Sequence, residues 1–151
     1  MKTTFIRFAK TTAVAAFAFI AFTTSAFAKP IEVSNYLAKQ FEQQFRGASN
    51  VTWKTTSEFT SASFLQDGQK VSVFYNTSSE LIGVSKIITT NELPRKAQQA
   101  LANRYNDYVV VSTIEFTDGD GVVKYYIQLE NNNKQTILQS DDNGSVSDFK
   151  N

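Results

Sequence analysis

Apolar residues recur along the chain at two different periods. Leu37, Phe41 and Phe45 stand four apart with Ala38 beside them, while Lys39, Glu42 and Arg46 fall between. That spacing predicts an amphipathic helix over 34–46, capped by Ser34 or Asn35 and ended by Gly47. From Asn50 to Thr90 the period drops to two. Val51 and Trp53 alternate with Thr52 and Lys54, and the segment 58–66 runs into Asp67-Gly68, a strong hairpin signal. A two-residue turn there pairs Phe64 with Val71 and Ala62 with Val73. It places Ala62, Phe64, Val71, Val73 and Tyr75 on one face, and Ser61, Ser63, Leu65, Ser72 and Phe74 on the other. A fourth strand follows near 81–89.

The helical period returns over 93–105. Pro94 stands near its start, where a missing N–H donor is harmless, and Ala97, Leu101 and Tyr105 mark its buried face. Strands are then expected at 108–117, 122–130, 135–140 and 145–149. Their turns are Asp118-Gly119-Asp120-Gly121, Asn131-Asn132-Asn133 and Asp142-Asn143-Gly144. The order is helix, four strands, helix, four strands. Leu37, Ala38 and Phe41 align with Leu101, Ala102 and Tyr105 at an offset of about 64 residues. The expected fold class is α+β: two tandem helix-plus-four-strand antiparallel repeats, about 34–90 and 91–150, in two layers with each helix covering a sheet face.

The first 28 residues stand outside this pattern. Lys2, Arg7 and Lys10 precede an uncharged apolar run from Ala13 to Phe22, and Ala26-Phe27-Ala28 supplies small residues for a peptidase. This is the order of a cleavable secretory signal, with Ala26 and Ala28 at the cleavage site. The apolar run is too short for a membrane span, which needs roughly 20 residues. Cleavage leaves 123 of the 151 residues as one domain, 29–151, in the periplasm or outside the cell. It also removes three cations, so 12 Lys and Arg remain against 14 Asp and Glu. Such a surface attracts neither nucleic acid nor an anionic membrane, and no stable membrane insertion is expected once the signal is gone.

Cysteine and histidine are both absent. The fold must hold by core packing alone, although an exported protein could form disulfides. The commonest general base is missing, and so are the Ser-His and Cys-His nucleophile pairs and most zinc sites. A hydrolase could use only carboxylates such as Glu58, Glu115 and Glu130, which lie at scattered strand positions. No catalytic residue and no cofactor is implied.

Several motifs in order resemble the PepSY-like proteins, which are related by fold to β-lactamase inhibitory protein. A helix ending in Phe45 is followed by Asn50-Val51-x-Trp53, then a strand ending Ala62-x-Phe64, then Val73-x-Tyr75-Asn76 before a turn and Leu81-Ile82. Asn91-Glu92-Leu93-Pro94 opens the second helix, Tyr105-x-x-Tyr108 closes it, and Asp142-Asn143-Gly144-Ser145-Val146 ends the domain. The resemblance implies a two-layer α+β fold and a periplasmic or secreted home, and supplies no catalytic residues. The chain departs from it at Thr77-Ser78-Ser79-Glu80, where the pattern favours an Asp-x-x-Gly turn.

Three sets of residues are candidates for function. Asp118 and Asp120 stand two apart, as carboxylates sharing calcium do, and Asp141-Asp142 repeat the theme; aspartate and glycine equally suit plain turns. Trp53 reads as a core residue, or else as an anchor at a partner surface. Tyr125 and Tyr126 are adjacent in a strand, so they face opposite ways and one is expected to be exposed. With Phe74 and Leu65 it would form an aromatic patch on the uncovered sheet face. The reading that follows is an exported, small, non-catalytic binding module. It would contact another envelope or secreted protein through an open sheet face carrying Phe74, Tyr126 and Leu65. The alternative is a periplasmic protein that binds a small ligand or calcium.

Overall fold

The structure is a computed structural model and describes residues 33–149. Residues 1–28, expected to be a leader with Ala26 and Ala28 at its cleavage site, lie outside the described residues. Helix α1 spans Asn35–Gln44, and Ser34 caps it by accepting the Leu37 N–H at 3.2 Å. Four strands follow, β1 Ser49–Thr55, β2 Phe59–Gln66, β3 Gln69–Asn76 and β4 Leu81–Ile88. A 3-10 turn, Thr90–Glu92, leads through Pro94 into α2, Arg95–Arg104. Leu93, expected inside this helix, lies before it and is buried in the core. The chain ends in β5 Val109–Asp118, β6 Val123–Asn131, β7 Lys134–Asp141 and β8 Val146–Asp148.

All eight strands form one antiparallel sheet in chain order. Each helix has only ten residues, so the molecule is more sheet than a balanced α+β protein. The two halves share an element order without being equivalent, since β4 has eight residues and β8 three. The Asp67-Gly68 turn pairs Phe64 with Val71 and Ala62 with Val73, as the alternation predicts. Both turn residues have positive φ, 51° and 79°, which suits the twist of a two-residue hairpin.

Both helices pack on the same face. Leu37 and Phe41 of α1 meet Ala62, Phe64, Val71, Val73 and Tyr75. Trp53 packs here as expected of a core residue, edge-on to Phe41 at 5.2 Å. Ala97 and Leu101 of α2 meet Ile127, Leu129 and Leu138. Cross-strand pairing runs from Val73 through Val84 and Thr117, and from Thr113 through Ile127 to Leu138, so these two clusters lie on one side of the sheet. On this face burial lifts the Tyr75 phenol to about 12, and its hydroxyl donates to Gln44 Oε1 at 3.3 Å.

Among the described residues the other face has no helix, yet it is not open. Phe59, Phe74, Ile114, Phe116 and Tyr126 form a second core, with Ile82 and Phe149 packed against it. The rings cover one another: Phe74 lies 5.9 Å from Phe59 and 6.4 Å from Phe116, and Tyr126 meets Phe149 edge-on at 5.4 Å. This corrects the reading of an exposed aromatic patch. Phe74 is 1% exposed, Tyr126 2%, and Leu65 is half-buried on the same face outside the cluster. Tyr125 is half-buried too, so neither of the adjacent tyrosines is exposed.

Three turns share one design. Asn76, Asp118 and Asp141 each turn a side-chain oxygen back on the loop that follows. Asn76 Oδ1 accepts from Ser78 and Glu80, Asp118 Oδ1 from Asp120 and Val122, and Asp141 Oδ1 from Ser145. The fourth residue of each has positive φ: Ser79 at 64°, Gly121 at 82°, Gly144 at 80°. The Thr77–Glu80 departure therefore keeps the turn and places a serine where the other two have glycine. A side chain in that region costs about 1–2 kcal/mol, partly offset by the greater unfolded freedom of glycine. Ser79→Gly is expected to stabilise the protein by about 0.5–1 kcal/mol, read from the urea midpoint.

Candidate functional site

A cleft of about 600 Å³ opens at one end of the helix-free face. Its walls are two of the turns just described, Asn76–Leu81 between β3 and β4 and Asp118–Val122 between β5 and β6. These segments lie about 40 residues apart in sequence. Pairing of β4 with β5, Gly83 opposite Asp118, brings them together, and the Gly119 N–H donates to Ile82 O at 2.9 Å. Ile82, Phe116 and Tyr126 supply apolar surface, with Leu81 and Val122 more exposed. The polar lining is Asn76, Glu80, Asp118, Asp120 and Lys124.

The carboxylates are held unequally. Asp118 Oδ1 is occupied by two backbone N–H donors at 3.0 and 2.9 Å. Glu80 Oε2 accepts from Asn76 Nδ2 at 2.7 Å. Asp120 makes no side-chain hydrogen bond, and Lys124 has no ion-pair partner among the described residues. Tyr126 enters from below. Burial, and then the nearby Asp118 charge, push its phenol up to about 12, so it stays protonated at physiological pH. Among the described residues its hydroxyl has no hydrogen-bond partner. Among the described residues the polar side-chain atom that is both sealed from solvent and unpartnered is Gln40 Oε1, so the Tyr126 hydroxyl keeps some contact with solvent, and Tyr126 is one of the residues that line the cleft.

The sequence placed some of these residues in other roles. Asp118 and Asp120 do share a turn, but Asp118 spends its oxygen on closing it. Among the described residues no group of three or more His, Cys, Asp or Glu is placed to hold a metal ion. Asp141 likewise closes its own turn. Tyr126 belongs to the cleft as a buried residue, Phe74 lies behind Phe116, and Leu65 lines no part of it. Glu58, Glu115 and Glu130 go separate ways: Glu58 precedes β2, Glu115 pairs with Lys86 at 3.6 Å, and Glu130 accepts from Gln135. Among the described residues the large apolar side chains most open to solvent are Tyr36, Val109, Val111 and Val122 rather than Phe74, Tyr126 and Leu65. Glu80, Lys124 and Ile82 were missed. Nothing local signals them, because a pairing between distant strands assembles the cleft.

Among the described residues, two helices on an eight-stranded antiparallel sheet of this order make a BLIP-like fold. It is shared with a BLIP-like protein of Bacteroides fragilis, at a TM-score of 0.69 and 16% identity over 80% of this chain and 89% of that one. A DUF2874 family protein of Bacteroides uniformis has a TM-score of 0.71 at 14% identity, covering 76% and 86%. A Bacteroides eggerthii protein provisionally assigned to the periplasm has 0.71 at 15%, covering 78% and 90%. No family model matches the chain, and no curated protein matches it in sequence. No helix among the described residues is long and apolar enough to cross a membrane.

Proposed function

We propose that this is an exported, PepSY-like, non-catalytic binding module whose ligand enters the cleft between the Asn76–Leu81 and Asp118–Val122 turns. The observation that carries it is the Tyr126 hydroxyl, presented without a partner at the wall of a 600 Å³ cleft by a residue 2% exposed. A polar tip on a rigid apolar body, in a concave site of roughly 300–1,000 Å³, is how small-ligand sites fix orientation. The leader pattern of residues 1–28 supports export, as does the shared fold with a protein provisionally assigned to the periplasm. The order of motifs along 34–149 supports the PepSY-like membership. The absence of histidine and cysteine and the scatter of Glu58, Glu115 and Glu130 argue for binding without chemistry.

The closed aromatic face moves the weight from a protein partner on an open sheet to a small ligand in the cleft. A thermal-shift screen of a panel of amines, amino acids, organic acids and sugars tests this. A compound at about 100 times its Kd stabilises the fold by about 2.7 kcal/mol and raises Tm visibly. Val122→Trp puts a bulky ring at the exposed mouth and is expected to abolish that rise while leaving the ligand-free Tm unchanged. If no class of compound shifts the parent, the binding reading is wrong.

A further inference from the structure

We infer that the cleft selects a small organic cation, a protonated amine on an apolar stem; this rests on the cleft being a binding site and names the chemistry of its ligand. Charge sets the first constraint. Among the described residues Glu80, Asp118 and Asp120 line the cleft against Lys124, which leaves two negative charges in excess. The second is the unpartnered Tyr126 hydroxyl at its wall. An ammonium group has three donors and no acceptor, whereas a neutral phenol oxygen and carboxylate oxygens accept. Asp120 and the remaining oxygens of Asp118 and Glu80 retain that capacity, since among the described residues hydrogen bonds engage only Asp118 Oδ1 and Glu80 Oε2.

The apolar surface supplies the third. Phe116 and Ile82 lie beside the acids, so a stem of several carbons or one ring is buried while its charge meets the rim. An anion would meet the acidic excess with Lys124 as its one cationic partner among the described residues. A sugar would leave Phe116 and Ile82 against polar groups.

Calorimetric titration of the purified protein with phenethylammonium chloride, 2-phenylethanol and sodium phenylacetate separates these chemistries on one ring. The amine is expected to bind about tenfold or more tightly than the alcohol, and the acid to give no heat. Affinity for the amine should fall as salt is raised, because the partners are near the surface. Glu80→Gln with Asp120→Asn is expected to weaken the amine about tenfold and Lys124→Gln to strengthen it about threefold. Tyr126→Phe should weaken it severalfold with Tm held, which a purely structural tyrosine would not do. An alcohol that binds as tightly as the amine, or an acid that binds more tightly, overturns the cation while leaving the cleft a binding site. So does silence from all three when the thermal-shift screen finds a compound without an amine that Val122→Trp blocks, whereas an amine found there upholds the cation. Silence in both experiments removes the binding reading itself.

Discussion

Phe74→Ala is expected to destabilise the protein by about 3–5 kcal/mol, the range for truncating a fully buried phenylalanine. Phe74 is 1% exposed and stands between Phe59 and Phe116, at 5.9 and 6.4 Å. Among the described residues no helix covers this side, so none of their helices can slide in to fill the gap. Ser61 and Gly83, its cross-strand partners, are too small to do so. A domain of this size is stable by roughly 5–15 kcal/mol, so the loss is a large share of the whole. Denaturant unfolding checks it: the midpoint should fall with the slope unchanged. Leu65→Ala on the same face is the control and is expected to cost far less, because Leu65 is half-buried and lies outside the cluster. A cost for Phe74→Ala below about 1 kcal/mol would mean the helix-free face is not a packed core.

That second core explains where sequence reasoning succeeded and where it stopped. Period-two alternation and the Asp67-Gly68 turn were enough to set the β2–β3 register residue by residue, because a one-residue slip would move every side chain to the wrong face. The helices were legible from Leu37 and Phe41, and from Ala97 and Leu101, which do face the core. The same logic misled for Phe74 and Tyr126. Alternation assigns two faces, and a face without a helix was taken as wet. Yet Val71-Ser72-Val73-Phe74-Tyr75 is buried at every position, as a strand covered on both sides must be. Phe74 adjoining Tyr75 and Tyr126 adjoining Tyr125 carried that signal, since large apolar residues at consecutive positions mark two-sided burial. The cleft had no such signal. Its walls meet only because β4 pairs with β5 across an intervening helix, and Glu80, Ile82 and Lys124 look like ordinary turn and strand residues until they do.

Gly83→Ala tests how the cleft floor is held, and about 3 kcal/mol of destabilisation is expected, at the upper end for overpacking a core. Gly83 pairs with Phe74 on β3 and with Asp118 on β5. A Cβ there would drive into Phe116 Cζ, with Phe116 Cε2 at 2.9 Å and the Thr117 carbonyl oxygen at 2.6 Å. Both obstacles are constrained. The ring is wedged against Phe74, and the carbonyl belongs to a β5 backbone already paired with β4. A double variant separates them. If the ring is the main obstacle, adding Phe116→Val should recover part of the stability lost in Gly83→Ala, a favourable coupling readable in a mutant cycle. If the carbonyl is the obstacle, the two costs should simply add. A Gly83→Ala protein as stable as the parent would show that Phe116 moves freely. A floor that moves freely could not hold a ligand's apolar stem, so the packing under Gly83 and the selectivity of the cleft stand or fall together.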